Sequence, residues 1–393
     1  MRKVYLDHGA TTPMREEVFE AMEPFLKEHF GNPSSLHFYG REVKKHVDDA
    51  REKVATALGA TPDEILFTSG GTEADNLAIQ GVARRLKSKG NHIITSQIEH
   101  HASLDACEAL EKEGFEVTYL PVDEYGVVSP SDLEAAITDN TILVTIMHAN
   151  NEVGTIQPIK ELNEIAKKKD VFFHTDAVQT VGNYPLDVKD LGVDLLSLSA
   201  HKFNGPKGVG ALYAKKGTKV SRIMLGGGQE RKLRPGTENV PGIVGLGRAI
   251  ELAVDEVDEK VEKYSYLRDK LINGLMKIED TRLNGHPTNR LPGNVNVSIE
   301  YVEGESLLLN LDMKGIAGSS GSACTSGSLE PSHVLKAMGL DHKSAHGSLR
   351  LTIGRGNTEE DIDYVLDVIP EIVSRLREMS SIWKGKETAD KWK

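Results

Sequence analysis

From residue 64 onward, short apolar runs alternate with stretches of helical periodicity. Ile65–Thr68, His92–Ser96, Glu116–Leu120, Ile142–Met147, Val171–Thr175, Leu195–Leu198 and Val209–Tyr213 read as strands, with Glu73–Leu86 and Leu104–Lys112 as helices between them. Such alternation predicts an α/β fold whose largely parallel sheet is covered by helices. Runs such as Val171-Phe172-Phe173 suit strands buried on both faces. The pattern changes past Pro241, where Ile243, Leu246, Ile250, Val254, Val257 and Val261 recur at helical spacing and predict one long helix leaving the first domain. Beyond it, Asn294–Ile299 and Ser348–Ile353 read as strands, and Pro331–Met338 and Thr358–Met379 as helices. The last of these opens on a Thr358-x-x-Asp361 cap. This mixture predicts a smaller α+β domain, with a charged, frayed tail after Ser380.

Composition narrows the class. With 393 residues, 39% hydrophobic and 27% charged, the chain has enough apolar material for two cores. Its longest apolar stretch, Thr141–Met147, is too short to span a bilayer, and the segment Met1–Asp7 has no apolar run of the kind that directs export. Two cysteines, Cys107 and Cys324, make no disulfide framework and suit a reducing, cytoplasmic setting. A formal net charge of −12 argues against nucleic acid as the principal partner. Neither a membrane nor a direct nucleic-acid contact is expected.

Ligands of open α/β sheets bind beyond the carboxyl ends of the strands, so the residues following each apolar run are the informative ones. After Ile65-Leu66-Phe67 comes Thr68-Ser69-Gly70-Gly71-Thr72-Glu73, a glycine-rich helix start that is either a phosphate seat or an ordinary capped turn. It matches neither the P-loop nor the dinucleotide fingerprint. After Val171-Phe172-Phe173 comes His174-Thr175-Asp176-Ala177-Val178-Gln179, where Asp176 either caps a helix or pairs with a buried cation such as a protonated pyridine nitrogen. After Leu195–Leu198 comes Ser199-Ala200-His201-Lys202. A lysine there is a surface residue in a turn, or a desolvated amine suited to a Schiff base. His148-Ala149-Asn150 and His100-His101 follow two further strands, and one histidine of the latter pair can stack on a flat ring. Neither that pair nor His342/His346 has the pattern of a metal site, so no metal is expected. Taken together, a phosphate seat, an acid, a lysine and a stacking histidine point to one cofactor site.

Around the second cysteine the chain reads Gly318-Ser319-Ser320-Gly321-Ser322-Ala323-Cys324-Thr325-Ser326-Gly327-Ser328. Serine and glycine at this density predict a flexible loop and a thiol able to reach both a buried substrate and an outside acceptor. Cys107, on a Leu104/Cys107/Leu110 pattern, is expected in the core. Arg350 is a charge inside a strand-like run, either a bidentate clamp for a substrate carboxylate or a surface ion pair.

The stretches Leu6–Thr12, Gly31–Ser35, Ser69–Asn76, His174–Gln179, Ser199–Gly208, Arg234–Asn239 and Ser319–Pro331, taken in order, resemble the cysteine desulfurase family. The resemblance runs from Val4 to about Met379 and implies the aspartate-aminotransferase-like fold (fold type I) with pyridoxal 5'-phosphate as cofactor. It implies a large domain over 15–260 and a small domain, made of 1–14 and 261–393, that carries the cysteine loop. Lys202 would hold the cofactor as a Schiff base, Asp176 would pair with the pyridine nitrogen and His100 would stack on the ring. Asn150 and Gln179 would contact the ring hydroxyl side, and Gly71, Thr72, Ser199 and His201 the phosphate. Thr237 would reach the phosphate of a neighbouring subunit, which implies a homodimer, while Asn32 and Arg350 would hold the substrate carboxylate. The long Ser/Gly form of the loop resembles the class that supplies iron–sulfur scaffold proteins and tRNA thiolation. Gly9 stands where relatives commonly carry Ala or Asn, which predicts a looser N-terminal segment.

The activity so implied converts L-cysteine to L-alanine. Lys202 removes the Cα proton, His100 moves protons at the ring and thiol, and Cys324 takes the sulfur as a persulfide. A selenocysteine lyase or aminotransferase on the same fold, and a non-catalytic cofactor-binding partner of scaffolds, are the competing readings.

Overall fold

The computed structural model describes residues 2–320, 331–380 and 383. Its main sheet has seven strands in the order Ile65–Thr68, Gly210–Ala214, Leu195–Ser199, Phe172–Asp176, Thr141–Thr145, His92–Ser96 and Glu116–Leu120. All run parallel except Gly210–Ala214, which is antiparallel to both its neighbours. Both faces are apolar, as strands buried under helices require. One face packs on Gly71–Leu86 and His101–Lys112 through Leu77, Val82, Cys107 and Leu110. The other packs on Phe38–Leu58, Ile159–Lys168 and Val240–Asp255.

A second core gathers Val4, Leu6, Leu267, Leu271, Val295, Leu349, Ile362 and Ile369. It sits on a three-stranded antiparallel sheet in the order Ser348–Thr352, Asn294–Ile299, Thr281–Leu283. Helix Glu359–Met379 covers it, opened by a capping box between Thr358 and Asp361. The single long helix expected after Pro241 is two helices, Val240–Asp255 and Val257–Leu275, divided at Glu256. The first half packs Ile243, Leu246 and Ile250 on the main sheet, and the second packs Leu267, Leu271 and Leu275 in the second core. One straight rod cannot serve both.

The N-terminal segment bridges the two cores. Val4–Tyr5 pairs with Ile316–Ala317, and farther along the Thr12 N–H donates to the His201 carbonyl at 3.0 Å. Residues 7–11 are thereby laid across the carboxyl edge of the main sheet. Among the described residues, no helix is long and apolar enough to cross a membrane.

Candidate active site

A cavity of about 280 Å³ opens at that carboxyl edge and brings together most of the residues picked from strand ends: Gly71, Thr72, His100, Asp176, Gln179, Ser199, His201, Lys202 and Arg350. On one side helix Gly71–Leu86 begins after Gly70, which has no side chain to cap it. The first-turn N–H groups are therefore left for a ligand, and the helix dipole favours an anion there. A Cβ on Gly71 would stand 2.7 Å from Val178 Cγ2, so glycine lets the helix start lie this close to the strand ends. Ser199 and His201 flank it, and burial holds His201 down to about 4, hence neutral.

Asp176 ends the strand Phe172–Asp176, 6% exposed, and its Oδ1 accepts the Val178 N–H at 2.9 Å. Burial pushes its pKa up, opposed by that N–H and by the neighbouring His100 and Lys202. A buried carboxylate with one backbone donor favours a cation as its further partner. His100 Nδ1 accepts the Ala102 N–H at 3.1 Å, so the proton of the neutral ring resides on Nε2. Burial lowers the His100 pKa and keeps the ring in that neutral form. Lys202, in the turn after Leu195–Ser199, donates from Nζ to the carbonyls of Gly9 at 2.6 Å and Ala10 at 3.0 Å. Gln179 Nε2 donates to the same Gly9 carbonyl at 3.0 Å.

Opposite stands Arg350, 2% exposed, on the strand Ser348–Thr352. Its Nη1 donates to the Asn151 carbonyl and its Nη2 to Asp7 Oδ1, each at 3.1 Å, while Nε is buried without a hydrogen-bond partner. Two of the five guanidinium N–H groups are thus engaged, and the others remain for a carboxylate. Glu152 lies nearby, fully buried and pushed up to about 7, with Ser332 Oγ donating to it.

Several residues are placed otherwise than the sequence suggested. Asn150 is completely buried, its Oδ1 accepting from the N–H groups of Glu152 and Val153 and its Nδ2 donating to the Ile98 carbonyl. With both ends of the amide so occupied, it shapes the turn, and Asn151 lines the cavity in its place. Asn32 is exposed away from the cavity, its Oδ1 accepting the Ser34 N–H at 2.9 Å in a local turn. Thr237 is exposed and does not line this chain's own cavity. Gly9 is not loose: its N–H donates to Thr352 Oγ1 at 2.7 Å, and its carbonyl receives both Lys202 and Gln179. Cys324 lies outside the described residues. Cys107 is fully buried in the core, where burial pushes its thiol up to about 12.

Sequence reasoning missed Asp75, Asp7 and Glu99. Glu99 is buried and pushed up to about 8 by its burial, although Ser96 Oγ and the Met147 N–H both donate to it. The signal for Asp75 was available: it follows Ala74 and precedes Leu77 and Ala78, on the apolar face of its helix.

The site fits pyridoxal phosphate on its own chemistry. The uncapped helix start with its glycine takes a phosphate, Asp176 takes a protonated ring nitrogen, and Lys202 is the amine within reach of both. Fold and site thus define a pyridoxal-phosphate enzyme of the aminotransferase-like architecture. The class-V aminotransferase family matches residues 4–365, and the chain belongs to it. Within that family it falls among the cysteine desulfurases, since it is 62% identical over 381 residues to cysteine desulfurase IscS of Methanosarcina thermophila, covering 97% of this chain and 94% of the relative. It is 60% identical to the IscS of Dictyoglomus turgidum, covering 96% of each chain. Among solved structures, a NifS-like protein matches with a TM-score of 0.90 at 44% identity, covering 95% of this chain and 100% of that one. SspA in complex with cysteine matches at 0.79 and 38% identity, covering 89% of this chain and 99% of that one.

Proposed function

We propose that this chain is a pyridoxal-phosphate-dependent cysteine desulfurase that takes the sulfur of L-cysteine onto Cys324 and leaves L-alanine. The observation that carries the reading is Lys202 and Asp176 at one cavity with the Arg350 fork on its far side. The bound cofactor would supply an electron sink for the substrate's Cα carbanion. Arg350 would seat the substrate carboxylate on its unengaged N–H groups. Lys202, held near the Gly9 and Ala10 carbonyls, would take the Cα proton. Asp176 would keep the ring nitrogen protonated, and His100, with its proton on Nε2, would move protons at the ring and the thiol, including the one carbon takes up on the way to alanine. The Cys324 thiolate would then attack the substrate sulfur, forming an S–S bond as the C–S bond breaks with its electron pair moving to carbon. Thr237 would act in the cavity of a second copy, making the working unit a homodimer. The acceptor of the persulfide sulfur would be an iron–sulfur scaffold protein, in the cytoplasm.

The test is an absorbance spectrum of the purified protein, then L-cysteine with a thiol reductant and assays of sulfide and alanine. A yellow protein giving equal sulfide and alanine, both lost in Cys324→Ala, is expected. Colour without sulfide would move the activity to another pyridoxal-phosphate reaction. A protein that takes up no cofactor would sink the Lys202 assignment.

A further inference from the structure

A second carboxyl borders the cavity. Asp75 lies on helix Gly71–Leu86, one turn beyond the phosphate seat, and is 1% exposed. Its surroundings are a polar row laid across one face of three adjacent strands. Thr145 pairs in register with His174, and Asp176 with Ser197. Because side chains alternate along a strand, His174 and Asp176 share a face, and their register partners share it too. His174 Nδ1 lies 2.8 Å from Thr145 Oγ1 and its Nε2 lies 3.0 Å from Ser197 Oγ. Ser197 also faces the Asp75 carboxyl. The row is thus closed from the helix side by Asp75, whose Oδ1 has no hydrogen-bond partner and stands 3.7 Å from His174 Nε2.

The groups facing Asp75 decide its charge. Asp176 and Glu99 are acids, and His174 is fully buried and pressed down to about 3, so it supplies no positive charge. The cation near the cavity, Lys202, acts on Asp176 instead. Two buried carboxyls lining one cavity cannot both be anions at modest cost. Burial and the repulsion of Asp176 accordingly hold the Asp75 proton on well above the usual carboxylate range.

We propose that Asp75 is a positioning residue that stays a neutral acid, holding Ser197 and His174 in place and leaving Asp176 as the one anion for the ring nitrogen. The proposal rests on the pyridoxal-phosphate reading above, but its first test does not. An infrared difference spectrum between wild type and Asp75→Asn, on apoprotein and holoprotein, is expected to show the carbonyl stretch of a protonated carboxyl lost in the variant. Absence of that difference band would mean an ionised Asp75 and would overturn the proposal.

The second test is cofactor affinity and the pH midpoint of the bound cofactor's visible band. Asp75→Leu removes the polar group that closes this row and leaves Ser197 and His174 facing an apolar side chain, and is expected to bind cofactor about tenfold or more weakly. Asp75→Asn, neutral and polar like the acid, is expected to restore the affinity and keep the wild-type midpoint. A midpoint displaced downward by about one pH unit in Asp75→Asn would show that a negative charge had been removed, against the proposal. Wild-type affinity in Asp75→Leu would dismiss the positioning role. If Asp75→Leu does not fold, the infrared band and the Asp75→Asn midpoint still decide. Failure of wild type to take up cofactor would instead defeat the reading of the site, with the infrared result standing separately.

Discussion

Replacing Arg350 by lysine separates what a charge does at this position from what a planar fork does. In the wild-type chain the two terminal nitrogens are engaged at 3.1 Å by the Asn151 carbonyl and by Asp7, and Nε is left over. A substrate carboxylate can use Nε together with the nitrogen shared with Asp7, in two parallel charge-assisted bonds. A lysine keeps the positive charge that balances Asp7, but one ammonium cannot serve Asp7, the Asn151 carbonyl and both carboxylate oxygens. The substrate then loses about one charge-assisted bond, worth roughly 1.5–3 kcal/mol. At about 1.4 kcal/mol per factor of ten, KM for L-cysteine should rise roughly 10- to 150-fold. The carboxylate does not change charge during reaction, so its bonds stabilise ground and transition states alike and kcat should stay within about threefold. The assay is sulfide release against cysteine concentration, alongside the cofactor spectrum and thermal unfolding to confirm an intact site. A KM within about twofold of wild type, in a folded and yellow variant, would refute the placement of the carboxylate on Arg350.

Native alkylation followed by mass spectrometry should modify Cys324 alone. Cys107 is fully buried with its thiol pushed up to about 12, and should react only after unfolding; comparable labelling of both would contradict its place in the core. Glu99 gives a pH signature. Its folded pKa is raised from 4.5 to about 8, so its contribution to stability is whole below about 4.5 and is lost as pH rises through about 8. Urea unfolding from pH 5 to 8 should therefore show wild type losing stability relative to Glu99→Gln, with a slope of at most about 1.4 kcal/mol per pH unit. Parallel curves would mean that Glu99 is ionised in the fold.

The strands and the cavity were legible because both leave marks in the order of residue types. A strand buried on both faces must be a continuous apolar run, and a ligand site at its end must break that run with polar groups, as Thr175-Asp176 and Ser199-Ala200-His201-Lys202 do. Direction leaves no such mark. Gly210–Ala214 is as apolar as its neighbours, and only the path of the chain makes it antiparallel to them. Choosing between adjacent identical residues was also beyond the sequence. Asn150 and Asn151 sit in one turn, and the local backbone gives Oδ1 of the first to two N–H groups and turns the second toward the cavity. The helix break at Glu256 carries neither proline nor glycine, since its cause is the separation of two cores.

Whole-chain charge and site charge obey different rules. A net charge of −12 is hostile to a cofactor phosphate and an amino-acid carboxylate, the two anions proposed for this cavity. The resolution lies in burial. Glu99 is held protonated to about 8 and Glu152 to about 7, and Asp75 is pushed up by its burial and by Asp176. Acids counted as negative in the sequence are thus shifted toward the neutral form here, while Lys202 and Arg350 face the cavity and the uncapped helix start adds its dipole. An anion entering the cavity thus meets Lys202, Arg350 and the helix start. An acidic protein can therefore carry an anion site, provided that its nearby acids are the buried ones.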